Sequence, residues 1–146
     1  MAIHPVKVDD AFSHCTQVMV DDIPEIVAAG YKTLINNRPD GEDGASQPTT
    51  PVLRAAAEAA GLQFIAFPVI SNQITAQQVA EYKHLIAHAP RPILGFCRSG
   101  NRASTLYLRA KMLYPQDKQY AGANTPSPWS KAKDLIRSLW HKEKDR

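Results

Sequence analysis

One segment, Cys97-Arg98-Ser99-Gly100-Asn101-Arg102, has the residue types and spacing of a nucleophile set beside an anion site. The cysteine ends the continuous apolar run Ile93-Leu94-Gly95-Phe96, a glycine-containing loop follows, and a helix is expected from about Asn101 or Arg102. A strand–loop–helix turn of this kind aims successive backbone N–H groups into one small concavity. The helix N-terminus adds positive partial charge. An anion seated there is expected to be held by the amides of Arg98, Ser99, Gly100 and Asn101 and by the Arg102 guanidinium. The same field favours the thiolate of a cysteine at the start of the loop. A thiolate facing an anion cradle is a nucleophile with its substrate site beside it.

Other residues compete for a role with weaker signals. Asp40 lies in Pro39-Asp40-Gly41, which is turn chemistry in its own right but also a source of a carboxylic acid. Arg98 by itself reads as an ordinary solvent-facing loop side chain. His84 and His88 stand four apart on one expected helix, and no Glu or Cys completes a metal set, so no metal site is assigned. Cys15 could resolve an oxidised Cys97, although nothing in the sequence brings the two together. No cofactor is implied.

The elements that must position these groups alternate in type. Residues 12–20 read as a short strand or hairpin. Asp21 and Asp22 look like helix caps, with Pro24 at an early helical position, Ile23, Ile26 and Val27 facing one way and Gly30 as the stop. Residues 31–36 read as a strand, and NRPDGEDGASQPTT as a long polar loop. Residues 52–60 are alanine-rich and helical, with Gly61 as the stop. Residues 63–70 read as a buried strand, and Thr75 caps a helix with Val79, Tyr82, Leu85, Ile86 and Ala89 on its apolar face. Ile93-Leu94-Gly95-Phe96 has the character of a central parallel strand, and residues 103–113 are helical. The alternation predicts a three-layer α/β domain: a mostly parallel sheet with helices on both faces. Ligands of such sheets sit at the carboxyl ends of the strands, where the loop after Phe96 lies. A link over residues 115–128 and a last helix with Trp129, Leu135, Ile136 and Trp140 on its buried stripe complete a single domain, 1–114 plus 115–146.

Composition narrows the class. The chain has 146 residues, 44% hydrophobic and 21% charged, enough for one core without disulfide staples. No apolar run approaches the ~18 residues of a membrane span, and MAIHPVKVDD lacks the pattern of a secretory signal. With only Cys15 and Cys97, two thiols in a reducing cytoplasm are expected. Residues 1–73 carry a balance of −5 and residues 74–146 a balance of +8. The basic half suits a small anionic ligand; no nucleic-acid-binding module accompanies it.

CRSGNRAS resembles the active-site loop of rhodanese-type sulfurtransferases, which also run six residues from cysteine through arginine. Tyrosine phosphatases share the plan with one more residue in the loop and usually a His where this chain has Phe96. The wider layout over about residues 8–114, NRPDGE after the second expected strand and CRSGNR after the fourth, resembles a bacterial family of small phosphatase-like domains. Some members are fused to β-lactamase-like hydrolases acting on persulfides. The resemblance implies a tyrosine/dual-specificity-phosphatase-like fold, Cys97 as nucleophile, and Arg102 with the loop amides as anion holder. It also implies a pocket rim built from Asn37, Arg38, Pro39 and Asp40, and a β-lactamase-like hydrolase as partner or fusion. Two chemistries follow. In the first and preferred one, Cys97 takes sulfane sulfur from thiosulfate or a persulfide and passes it to a thiol acceptor. In the second, Cys97 carries a phosphoryl group taken from a phosphoester. The shorter loop suits sulfur. So does the uncharged stretch Val69-Ile70-Ser71-Asn72-Gln73, where a tyrosine phosphatase supplies an acid, although Asp40 or Glu42 could substitute.

Overall fold

A computed structural model describes residues 3–113. Five strands form one sheet: β1 (Val6–Lys7), β2 (Phe12–Cys15), β3 (Thr33–Asn36), β4 (Gln63–Ala66) and β5 (Ile93–Phe96), in the order β1-β2-β5-β3-β4. Only β1 runs antiparallel; β2, β5, β3 and β4 are mutually parallel. The helices are α1 (Ile23–Ala28), α2 (Thr50–Ala59), α3 (Ala76–His88) and α4 (Asn101–Met112). The expected α/β class with a mostly parallel sheet is therefore what the chain adopts. No helix among the described residues is long and apolar enough to cross a membrane. The expected link and final helix after residue 114 lie outside the described residues.

The described residues fall into two compact units, residues 3–74 with Ala89–Thr105, and Thr75–His88 with residues 106–113. The first holds the sheet. Alternate strand residues Leu34, Phe64, Leu94 and Phe96 join Ile23, Ile26, Leu53 and Ala57 of α1 and α2 in one buried cluster. Period-two alternation sends Ile35 and Gly95 to the opposite face. There the Phe12 ring lies across Gly95: a Cβ at Gly95 would stand 2.8 and 2.9 Å from ring atoms of Phe12 and 3.6 Å from Cβ of Ala103 at the start of α4. Helical residues thus cover both faces within this unit. The pairing Cys15↔Phe96 and Asn36↔Phe96 puts β5 between two parallel neighbours and lines up three strand ends at the residue before Cys97.

In the second unit, α3 begins with a reciprocal cap: Thr75 N–H donates to Gln78 Oε1 at 2.9 Å and Gln78 N–H to Thr75 Oγ1 at 3.1 Å. Val79, Tyr82 and Ile86 of α3 and Leu106, Tyr107 and Ala110 of α4 are buried, as their spacing requires. Lys83 Nζ donates to the Leu113 carbonyl near the end of α4.

Three elements differ from expectation. The hairpin uses residues before Phe12, not after it, because Val6 and Lys7 pair with His14 and Ser13. Val27 does not share the buried face of Ile23 and Ile26 but is 38% exposed, since α1 is only six residues long. β4 stops at Ala66; Pro68 has no N–H to continue a ladder, and the chain crosses instead to the end of β3.

Gly95→Val is expected to destabilise the fold by about 1–3 kcal/mol, because the Phe12 ring has nowhere to move in a central strand. Urea unfolding checks this. Combined with Phe12→Ala, the loss should be smaller than the sum of the two single losses.

Candidate active site

Cys97 follows β5 and is fully buried at the base of the loop. Its Sγ accepts the Gly100 N–H at 3.0 Å, so one loop amide is already aimed at the sulfur. The loop can curl this tightly because Gly100 has φ +94°, a conformation that suits glycine alone. Space is as restrictive as the dihedral. A Cβ at Gly100 would come within 2.9 Å of Nδ1 of His14 on β2 and 3.4 Å of the Cys15 carbonyl oxygen. Ser99 Oγ accepts the Asn101 N–H at 3.3 Å, and Ser104 N–H donates to the Gly100 carbonyl at 3.0 Å, which starts α4 at the expected place. Arg98, Ser99 and Asn101 are exposed on the rim.

Arg102 extends from the first turn of α4 and is 8% exposed. Its Nη1 donates to Glu42 Oε2 at 2.8 Å and to the Val69 carbonyl at 3.1 Å, and its Nη2 donates to Glu42 Oε1 at 2.9 Å. The fork is bidentate, which fixes the plane of the guanidinium as well as its position. Three of the five guanidinium protons are used in this way. The remaining Nε and Nη2 protons are left for an anion in the loop and for Cys97, with which Arg102 also interacts.

The NRPDGE loop holds Arg102 from the other side. Arg38 is 3% exposed, and its donors go to Glu42 Oε1 at 2.8 Å, Gln17 Oε1 at 2.9 Å and Asp43 Oδ2 at 2.6 Å. Arg38, expected on the pocket rim as an anion binder, instead has its guanidinium engaged by protein acceptors. Asp40, expected as a candidate acid, lies at the start of α2, where its carboxylate accepts the Thr50 N–H at 2.9 Å and the Thr50 hydroxyl at 2.8 Å. An acidic group there satisfies an orphan helix donor and meets the positive end of the dipole. Glu42, which sequence reasoning raised only as a substitute acid, is the residue that joins the two arginines. The hydrogen bond from Arg102 leads in holding its carboxyl down at about 2, with Arg38 adding to it, so it is ionised at neutral pH. No sequence rule finds such a contact, because Glu42 and Arg102 are 60 residues apart.

Val69 was part of an expected strand; its carbonyl braces Arg102 instead. The segment after β4 is tied to the end of β3 by Phe67 N–H to the Asn36 carbonyl at 2.8 Å, Val69 N–H to the Asn37 carbonyl at 3.1 Å and Asn37 Nδ2 to the Phe67 carbonyl at 2.8 Å. Cys15 stands on the strand beside β5, one register step from Cys97. Burial, with the charges of Asp22 and Cys97 adding to it, pushes its thiol up to about 12. It therefore stays protonated and is a poor attacking thiol. His84 and His88 contact each other edge to face, and no group of three metal-ligating side chains exists among the described residues.

Glu42→Gln is expected to lower stability at neutral pH and to flatten its acid dependence. A carboxyl depressed from its ordinary 4.5 to about 2 contributes stability above 4.5 that is lost as pH falls toward 2. Wild type and variant should therefore converge between those values, as read from urea midpoints across pH. Gly100→Ala should distort the loop at a cost of at least about 1 kcal/mol and weaken phosphate or sulfate binding, which calorimetric titration would measure.

Comparison with known proteins identifies the family and the fold. The family model for the phosphatase-like domain of beta-lactamase hydrolase-like proteins matches residues 6–113. A beta-lactamase hydrolase-like protein of Agrobacterium fabrum is 34% identical over 108 residues, which is 74% of this chain and 25% of that protein. One from Xylella fastidiosa is 32% identical over the same length. The chain thus spans about a quarter of the length of these relatives. Among solved structures, a candidate phosphatase from Neisseria meningitidis superposes with a TM-score of 0.67 at 31% identity, covering 88% of this chain and 96% of the other. TpbA of P. aeruginosa, in complex with phosphotyrosine, superposes at 0.56 with 14% identity over 72% of this chain and 60% of its own, a likeness of fold. With the family model matching residues 6–113 over a mostly parallel sheet of the same α/β class, this chain belongs to the phosphatase-like domain family of beta-lactamase hydrolase-like proteins.

Proposed function

We propose that the chain is a cysteine-dependent phosphatase that cleaves phosphate monoesters through a Cys97 thiophosphate. The observation that carries this reading is the Gly100 N–H aimed at Cys97 Sγ in a loop that leads directly into the helix turn bearing the braced Arg102 guanidinium. The phosphatase-like family and fold support it. An incoming phosphoryl group would take over the hydrogen bond that the Gly100 N–H now directs at the sulfur, which frees Sγ for in-line attack. Arg102 and the amides of Arg98, Ser99, Gly100 and Asn101 would then meet the charge that grows on the equatorial oxygens. Water displaces the sulfur from phosphorus in the second step. A β-lactamase-like hydrolase domain, in the same chain or as a partner, is the natural setting, since the curated relatives carry this domain as a quarter of their length. A reducing cytoplasm suits the two free thiols.

Sulfur transfer through a Cys97 persulfide is the second reading. It is favoured by the loop, which has six residues from Cys97 through Arg102, and by a leaving thiolate that needs little acid.

The two are separated by one pair of measurements on the reduced protein. Aryl phosphate hydrolysis should be detected and should fall more than about a thousandfold in Cys97→Ser and about a hundredfold in Arg102→Lys. Intact mass after exposure to thiosulfate or glutathione persulfide should show no adduct. A one-sulfur gain that is absent from Cys97→Ser, without phosphate release from aryl esters, would establish sulfur transfer instead.

A further inference from the structure

We infer that this site acts on phosphate compounds whose leaving group departs as an anion: acyl phosphates and phosphates of acidic phenols, not alkyl, serine, threonine or tyrosine phosphates. The inference rests on the phosphatase reading and narrows its substrate class.

Cleavage of an ordinary phosphomonoester needs a proton for the departing oxygen, and a positioned acid contributes about 10²–10⁴ in rate. Each carboxyl of the NRPDGE loop is engaged elsewhere. Glu42 is ionised and gives both oxygens to Arg102 and Arg38. Asp43 is bound to Arg38 Nη2, whose hydrogen bond draws its carboxyl below the ordinary value. Asp40 closes the start of α2. The segment after β4, whose Val69 carbonyl touches Arg102, reads Phe67-Pro68-Val69-Ile70-Ser71-Asn72-Gln73 and contains no ionisable side chain. Its three hydrogen bonds to Asn36 and Asn37 and one to Arg102 fix it in place, and its first residue past the braced carbonyl, Ile70, is 55% exposed and apolar. On the β2 side, Asp22 accepts the Met19 N–H at 2.8 Å, Asp21 is exposed, and the His14 ring turns a buried Nδ1 toward Gly100. Among the described residues the machinery is thus complete for nucleophile and anion binding, and no acid is aimed at a leaving group.

The chemistry balances without one. The Cys97 thiolate forms the S–P bond as the P–O bond breaks, and the electron pair leaves on the released oxygen. Water then forms the new P–O bond, the S–P bond breaks back to thiolate, and both protons of the water remain with the released dihydrogen phosphate. For an acidic phenol or a carboxylate the first step needs no proton.

The test is kcat/KM of the full chain for substituted phenyl phosphates with phenol pKa from about 5 to about 10, the tyrosine value. Acetyl phosphate and an alkyl phosphate complete the series. This ratio reports the step that breaks the ester bond. It is expected to fall about tenfold per unit of leaving-group pKa, with acetyl phosphate hydrolysed well and the alkyl phosphate not. Asp40→Asn and Asp21→Asn should leave the slope unchanged. A dependence weaker than about twofold per unit, or a slope that steepens in either variant, reveals an acid and overturns the inference while the phosphatase reading stands. Failure to hydrolyse any member of the series overturns both.

Discussion

The site depends on one shared carboxylate. Glu42 lies between two almost fully buried guanidiniums, Arg38 of its own loop and Arg102 of the first turn of α4. Burying one arginine is costly, and burying two side by side adds their repulsion. Glu42 and Asp43 supply two compensating charges, while Gln17 and the Val69 carbonyl satisfy further donors. Removing Glu42 would leave two cations facing each other with little water, so the arrangement is held as a unit. It also joins the β3 exit loop, the segment after β4 and the first turn of α4.

The sheet decides where that unit sits. β5 lies between β2 and β3, and the registers Cys15↔Phe96 and Asn36↔Phe96 bring three strand ends level. The Asn37 N–H continues the ladder to the Phe96 carbonyl at 2.9 Å, and Arg38 N–H turns back to Asn36 Oδ1 at 2.8 Å. The backbone of the NRPDGE loop is therefore anchored to the last residue before Cys97. Few degrees of freedom separate Cys97 from Arg102, which is what a preorganised anion site requires.

Much of this was legible in the residues because it is local. The apolar run of β5, the glycine at position 100 and the helix that starts at Asn101 announce the anion loop with nothing else known. The cap at Thr75 is as readable, since its partner Gln78 is three residues away. What was not legible is long-range. Asp40 looks like a turn residue or an acid until Thr50 is seen beside it. Arg38 looks like a rim cation until Gln17, Glu42 and Asp43 enclose it. Residues 67–70 have the hydrophobicity of a strand, but Pro68 ends the ladder and the apolar side chains serve a crossing segment. The family resemblance supplied the fold, whereas its preferred sulfur chemistry finds less support than the phosphatase-like alternative.

The contact between His14 and Gly100 also bears on how such a chain can diverge. Position 100 has room for no side chain while an imidazole stands 2.9 Å from where its Cβ would be, and the dihedral there forbids most residues in any case. Mutational drift is therefore channelled to the other partner: position 14 can shrink without disturbing the loop, and position 100 cannot grow. Two sites, one on β2 and one in the loop after β5, thus behave as one evolutionary character with a one-way order of change. The half of it that can vary lies behind the anion cradle rather than in it.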